Sequence, residues 1–133
     1  MANEAVIAIN TDIDIVAARQ KGRELATVLG FVSTDSTLLA TAISELARNI
    51  IRYARYGEIL ITSVQSGDRV GIIVEARDKG PGIANISLAM QDGFSTSGGL
   101  GLGLPGVKRM MDEFLLVSDE NNGTKVTIKK WRR

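Results

Sequence analysis

Glu45 and Asn49 stand four residues apart in a segment whose apolar residues recur at helical spacing. Residues with this spacing share one face of a helix, with Cβ atoms about 6 Å apart. Magnesium prefers oxygen ligands and is usually held by one or two protein oxygens together with phosphates. The pair could therefore supply an amide oxygen to magnesium and a carboxylate as general base. A solvent-exposed face with a Glu45–Arg48 ion pair is the competing interpretation.

A second candidate is the run Asp78-Lys79-Gly80-Pro81-Gly82, which follows a predicted strand. A carboxylate at a strand end can point into a pocket while the glycines let the backbone pass close to a flat ligand. Because a carboxylate accepts hydrogen bonds from an exocyclic amine, such a group would select adenine over guanine. An Asp-Lys-Gly turn with a purely structural role is the alternative.

The third candidate is a glycine-rich stretch, since eight of the 14 glycines lie between Gly80 and Gly106. Gly101 to Gly106 matches the pattern GxGxxG, but no βαβ unit surrounds it, so a dinucleotide fold is not expected. No P-loop pattern follows a strand either. Glycines before a helix let backbone N–H groups approach an anion, and Pro105 suits the first turn of that helix. A flexible surface loop remains the alternative.

Composition excludes several classes of protein. The 133 residues include no Cys and no His, which rules out disulfide frameworks, thiol nucleophiles, imidazole bases and the His-containing catalytic loop of eukaryotic protein kinases. The net charge of +1 gives no basic excess for binding nucleic acid or anionic lipid. No apolar run approaches the roughly 20 residues of a membrane span. We therefore expect one domain over residues 1–133, soluble and cytoplasmic, with neither nucleic acid nor membrane as a partner.

Hydrophobic spacing and turn residues predict the elements that must position these groups. Two long helices precede a β-hairpin, and a short helix and a second hairpin follow the glycine-rich stretch. This order predicts an α+β fold, a two-layer sandwich with helices on one face of a mixed, mainly antiparallel sheet. The predicted elements are a strand at 6–9, helices at 11–29 and 33–56, strands at 58–65 and 69–78, a helix at 107–113 and strands at 114–118 and 124–130.

The candidates occur in an order that resembles the ATP-binding boxes of the GHKL superfamily, which includes gyrase, Hsp90 and histidine kinases. The motifs are Glu45-x-x-x-Asn49, Asp78-x-Gly80-x-Gly82, Gly99-x-Gly101-x-Gly103 and Gly123-Thr124. Residues 14–20, 43–50 and 92–101 are most similar to the serine/threonine switch kinases of stressosomes within that superfamily. The resemblance implies the Bergerat ATP-binding fold, with ATP and Mg²⁺ as cofactors.

The resemblance also implies a role for each matched position. Asn49 would ligate Mg²⁺, Glu45 would be the general base, Asp78 would bind the adenine amine, and residues 83–98 would form an ATP lid. The residues expected to contact the nucleotide are Asn49, Asp78, Gly80, Gly82, Ile83, Ser97, Gly98, Gly99, Leu100, Gly101, Leu102, Gly103 and Thr124.

The implied partners are STAS-domain stressosome proteins as substrates and a PP2C-type phosphatase that the released kinase activates. Because the chain contains no His, the phosphate acceptor would be a Ser or Thr of a partner. Two alternatives remain: an anti-sigma factor kinase that binds sigma directly, and a non-catalytic adaptor gated by ATP. Lys125, Thr127, Lys129 and Trp131 share one parity of the last strand and could form a partner surface. A strand face that is covered by a helix or left solvated is the simpler interpretation.

Overall fold

A computed structural model describes residues 4–80, 103–119 and 123–133. These residues form three helices and five strands, arranged in two layers. They are β1 (Glu4–Ile9), α1 (Asp12–Val28), α2 (Ser33–Ala54), β2 (Gly57–Ser66), β3 (Arg69–Asp78), α3 (Gly103–Met110), β4 (Glu113–Asp119) and β5 (Gly123–Trp131).

The strands form one sheet in the order β1-β2-β3-β5-β4, and every described pairing is antiparallel. Side chains point alternately to the two faces of the sheet along each strand, and all five strands place apolar side chains on one of these faces. One cross-strand row of this face consists of Ile7, Ile59, Ala76, Val126 and Leu116. The helices cover this face, which confirms the prediction of helices on one side of a mainly antiparallel sheet.

The core lies between the sheet and α2, whose Leu39, Ile43 and Leu46 are fully buried. Helix α1 packs against α2 at Gly22, where a Cβ would collide with Cδ1 of Ile43. Glycine in a helix interior costs about 1 kcal/mol relative to alanine, and here it permits the close approach that its position in the apolar stripe predicts.

Helix α1 begins where the sequence predicts, with Thr11 as its N-cap. The Oδ2 atom of Asp14 accepts hydrogen bonds from the backbone N–H groups of Asn10 at 2.8 Å and Thr11 at 3.0 Å. These bonds hold the pKa of Asp14 below its usual value of 3.8, because the ionised carboxylate is the better acceptor.

The cap predicts a pH-dependent contribution to stability. A lowered folded-state pKa means that Asp14 stabilises the fold above its unfolded-state pKa and loses that effect as pH falls through the folded-state value. We expect the free energy of unfolding of wild type to exceed that of Asp14→Asn at pH 7, and the difference to shrink as pH falls through the lowered folded-state pKa of Asp14. Denaturant titrations between pH 2.5 and 7 measure it. Asp12→Asn is the control in the same helical turn, and a difference that does not change with pH contradicts the prediction.

The end of α2 differs from the prediction that the helix runs to about Tyr56 and ends at Gly57. It ends at Ala54, and Arg55 adopts φ = +77°. Gly57 is needed elsewhere, because a Cβ at this first residue of β2 would lie 2.5 Å from the Arg77 carbonyl oxygen. Arg55 therefore ends the helix with a positive φ, a conformation that is uncommon for a residue other than glycine.

Helix α3 also differs from its predicted bounds of 107–113. It spans Gly103–Met110, and Glu113 is the first residue of β4. The glycines of this segment argue against a helix, but Leu104, Pro105 and Val107 are buried in its first two turns. Tertiary burial thus outweighs weak intrinsic propensity, and Pro105 occupies the first turn as predicted.

The residues of β5 with the parity of Trp131 lie on the sheet face opposite the helices, whereas Val126 and Ile128 point into the core. The Arg69 guanidinium stacks 3.9 Å from the centroid of the Trp131 ring, and Lys129 Nζ lies 5.2 Å from it. These cations cover part of the ring.

None of the described helices is long and apolar enough to cross a membrane.

Candidate active site

Helix α2 carries Glu45 and Asn49 on successive turns. Glu45 is buried, with 4% of its surface exposed, and its Oε1 accepts a hydrogen bond from Arg48 Nη1 at 2.8 Å. Asn49 is half-buried. The ion pair of the competing interpretation therefore forms, but its carboxylate lies in the protein and not on a solvated face. A buried carboxylate is expensive unless it is paired, and the Arg48 guanidinium provides that pairing for Glu45.

Asp78 is the last residue of β3 and is half-buried. It pairs with Gly57 of β2 on one side and with Thr124 of β5 on the other. Its Oδ1 accepts a hydrogen bond from the Gly80 N–H at 2.9 Å. This bond forms the local Asp-Lys-Gly turn of the alternative interpretation and also holds the carboxylate in one position. The two interpretations of Asp78 are therefore compatible.

Two glycines bring the end of α2 into contact with this turn. A Cβ at Gly80 would lie 2.6 Å from Ala54 Cβ, and a Cβ at Gly57 would lie 2.9 Å from Ile50 Cγ2. Both distances are too short for real side chains, so glycine is required at each position for the helix to approach. The helix of Glu45 and Asn49 is thereby held directly against the strand end of Asp78.

Strand β5 completes this edge of the site. Thr124 lies opposite Asp78 in the sheet, and its Oγ1 is hydrogen-bonded to Ser118 Oγ at 2.8 Å. Ser118 was not among the residues expected from the sequence. The signal that could have found it is the β4–β5 hairpin register, which pairs Ser118 with Thr124.

Gly123 precedes Thr124 with φ = +81°, and a Cβ here would collide with the Asp78 carbonyl oxygen and lie 2.7 Å from Lys79 Cα. We expect Gly123→Ala to lower the free energy of unfolding by at least about 2 kcal/mol, because backbone strain and a backbone collision add. Gly67→Ala is the matched control, since Gly67 has φ = +61° with open space around it and should lose only about 1 kcal/mol. Equal losses in urea denaturation contradict the close approach.

The remaining expected ATP contacts divide into two groups. Gly103 is the first residue of α3, with φ = +56°, and the helix behind it packs against α2. The rest lie outside the described residues, as does the expected lid at 83–98. These contacts are Gly82, Ile83, Ser97, Gly98, Gly99, Leu100, Gly101 and Leu102.

No group of three or more His, Cys, Asp or Glu side chains that could hold a metal occurs within residues 4–80, 103–119 and 123–133. Magnesium bound through phosphates needs only one or two protein oxygens, and the side-chain oxygen of Asn49 could supply one. The donor set of α2 therefore fits a nucleotide-bound magnesium better than a protein-only metal site.

Comparison with known families agrees with this arrangement. Residues 34–133 match the family described as histidine kinase-, DNA gyrase B- and HSP90-like ATPase. The chain belongs to this ATPase family. The match spans α2 to β5 and thus includes the elements that carry Glu45, Asn49, Asp78 and Thr124. The GHKL superfamily predicted from the motif order is confirmed.

Within the ATPase family, the chain is 53% identical over 133 residues to the serine/threonine-protein kinase RsbT of Bacillus subtilis, covering 100% of both chains. It is 33% identical over 128 residues to an anti-sigma F factor of Geobacillus thermodenitrificans, covering 86% of this chain and 87% of the relative. The full-length similarity confirms the prediction of a serine/threonine kinase.

A solved structure supports the fold. The chain superposes with a TM-score of 0.65 and 18% identity on a crystal structure of the RsbU and RsbW domains of a Mycobacterium tuberculosis protein, covering 100% of this chain and 33% of the other. The two-layer ATP-binding fold of the family is therefore confirmed.

Proposed function

We propose that this kinase uses Mg-ATP to phosphorylate STAS-domain proteins of a stressosome and, once released, binds and activates a PP2C-type phosphatase in a partner-switching pathway that controls a sigma factor. The observation that carries the nucleotide chemistry is that α2 bears a buried Glu45 beside Asn49 and touches Gly80 next to Asp78. Full-length similarity to RsbT supports the choice of partners.

Nucleotide binding would divide between two groups of residues. One oxygen of Asp78 accepts the Gly80 N–H, and a carboxylate has a second oxygen that can accept a hydrogen bond from the adenine amine. Thr124 stands opposite in the sheet and could contact the adenine end through its hydroxyl. Asn49 would hold Mg²⁺ through its side-chain oxygen. When bound, Mg²⁺ neutralises charge on the phosphates.

Phosphoryl transfer would depend mainly on positioning. The loose transition state leaves the protein the tasks of aligning the groups and receiving a proton. Glu45 would accept the proton of the Ser or Thr hydroxyl of the partner as the bond to phosphorus forms, while ADP leaves. Arg48 Nη1, 2.8 Å from Glu45 Oε1, orients this carboxylate.

Incubation with γ-labelled ATP, Mg²⁺ and a purified STAS-domain partner tests the kinase assignment. We expect label on a Ser or Thr of the partner, and its loss when Mg²⁺ is omitted or when Glu45 is replaced by Gln. Tight Mg-ATP binding without any label would contradict a kinase and support an adaptor in which ATP sets only conformation.

A second candidate is an anti-sigma kinase that binds a sigma factor directly, which the similarity to anti-sigma F factors favours. The two candidates share the nucleotide chemistry and differ in the partner. Binding of the purified chain to a PP2C-type phosphatase and to a sigma factor, measured side by side, separates them. Tighter binding of the sigma factor contradicts the proposed partner assignment.

A further inference from the structure

Lys130 is a lysine on the core side of β5. Only 3% of its surface is exposed, and it shares its strand parity with the buried Val126 and Ile128. Its neighbour across the sheet is Ile72, which is fully buried. Lysine is almost never fully buried unless it is paired, so this cation must have a specific partner.

The ammonium group of Lys130 has two partners on two helices. Nζ donates a hydrogen bond to the backbone carbonyl oxygen of Met110, the last residue of α3, at 2.8 Å. Asp35 Oδ1, in the first turn of α2, lies 4.0 Å from the same nitrogen, and Asp35 is itself buried. The Lys130 ammonium group lies at the C-terminal end of α3, and the Asp35 carboxylate lies at the N-terminal end of α2. Each charge is therefore opposite in sign to the helix dipole at that end, which is a favourable arrangement. Lys130 thus joins α3 and α2 to the sheet.

This ion pair is weakly explained by stability alone. Replacing a buried ion pair with apolar residues of similar volume is often neutral or stabilising. Asp35 Oδ2 is also buried without a hydrogen-bond partner among the described residues, although Arg133 Nε lies 3.4 Å away. Charged groups that are expensive to bury and incompletely satisfied suggest that their task is to fix the relative position of the elements they join.

The position of α3 matters because of what its other end carries. The helix has eight residues, so its two ends are only about 12 Å apart. Gly103, the last of the glycines expected to meet the ATP phosphates, is its first residue. A rigid element this short cannot move at one end without moving at the other.

We propose that Lys130, paired with Asp35, is a positioning residue that anchors the C-terminal end of α3 and so aligns its N-terminal backbone N–H groups with the phosphates of ATP. This inference rests on the proposed binding of ATP. It predicts that the loss of Lys130 weakens recognition of the phosphates and leaves recognition of the adenosine moiety intact.

Calorimetry with Mg-ATP and with adenosine on the full chain tests this role in Lys130→Met. We expect the affinity for Mg-ATP to fall about 10-fold to 100-fold and that for adenosine to change less than about twofold, since small misplacements of binding groups have effects of this size. Lys129→Met is the matched control. Lys129 is the neighbouring residue on the opposite sheet face, paired with Glu113 Oε1 at 3.3 Å, and its loss should change neither affinity.

Amide hydrogen exchange gives an independent readout. Lys130→Met should accelerate exchange in residues 104–110 and leave exchange in β2 and β3 unchanged. Asp35→Asn should accelerate exchange in the same residues by less, because the hydrogen bond from Lys130 to Met110 is retained. Equal losses of ATP and adenosine affinity, unchanged ATP affinity, or unchanged exchange in α3 would overturn the role of Lys130. Wild-type protein that binds no ATP would instead contradict the proposed function, and this outcome is distinct because it needs no variant.

Discussion

Glutamine in place of Glu45 is expected to lower the rate of phosphoryl transfer by about 10²-fold to 10⁴-fold, the usual contribution of a general base. The affinity for Mg-ATP should stay within about threefold of wild type, because proton acceptance matters in the transition state and not in the bound ground state. Glutamine has almost the same shape and retains an oxygen that can accept the bond from Arg48. Single-turnover transfer to a STAS-domain partner and calorimetry measure the two quantities.

Arg48→Met is the matched control for this variant, because it breaks the same ion pair from the other side and keeps the carboxylate. It should retain far more transfer activity than Glu45→Gln. If both variants lose transfer activity equally, the activity depends on the Glu45–Arg48 ion pair and not on Glu45 as a general base. Equal loss of nucleotide affinity and of transfer in Glu45→Gln would also contradict the assignment.

Asp78→Asn should weaken ATP binding itself, by about 10-fold to 100-fold, since a hydrogen bond to a charged group contributes about 1.5–3 kcal/mol. Asparagine can keep the bond from the Gly80 N–H through its oxygen, but its NH₂ group then faces the amine of adenine, so two donors meet. Asp68→Asn, in the exposed turn between β2 and β3, removes the same charge and should have no effect.

Inosine triphosphate sharpens the test, because its base carries a carbonyl oxygen where adenine carries the amine. Wild type should prefer ATP, and Asp78→Asn should narrow or reverse that preference, since the new NH₂ group can donate to the carbonyl. A variant that binds both nucleotides as wild type does, yet transfers less phosphate, would place Asp78 in catalysis and not in adenine recognition.

Much of the fold was predictable because local signals agreed. The Ser66-Gly67-Asp68 turn between two β-rich segments predicts the β2–β3 hairpin, and Arg69–Asp78 is a strand with the predicted bounds. Thr11 followed by Asp14 predicts the start of α1. In each case, the residues that specify the element lie within the element or directly beside it.

What the sequence alone did not predict depends on contacts between distant residues. The start of α3 at Gly103 depends on burial of Leu104 and Val107, which outweighs the glycines. Glu45 is buried and Lys130 lies in the core, although both residue types are usually exposed. Ser118 matters only through the pairing of β4 with β5. No local pattern contains these relationships, since each arises when separate elements pack.

Gly123 has a consequence for the order in which the molecule acquires its activity. The Gly123 backbone packs directly against the backbone of Asp78 and Lys79. The Asp78 carboxylate, which we propose binds adenine, therefore takes its final position only after β5 has paired with β3. A nucleotide bound there would hold the two ends of that long connection together. Saturating ATP should therefore raise the melting temperature of the whole sheet, and a fragment ending before β5 should bind no nucleotide.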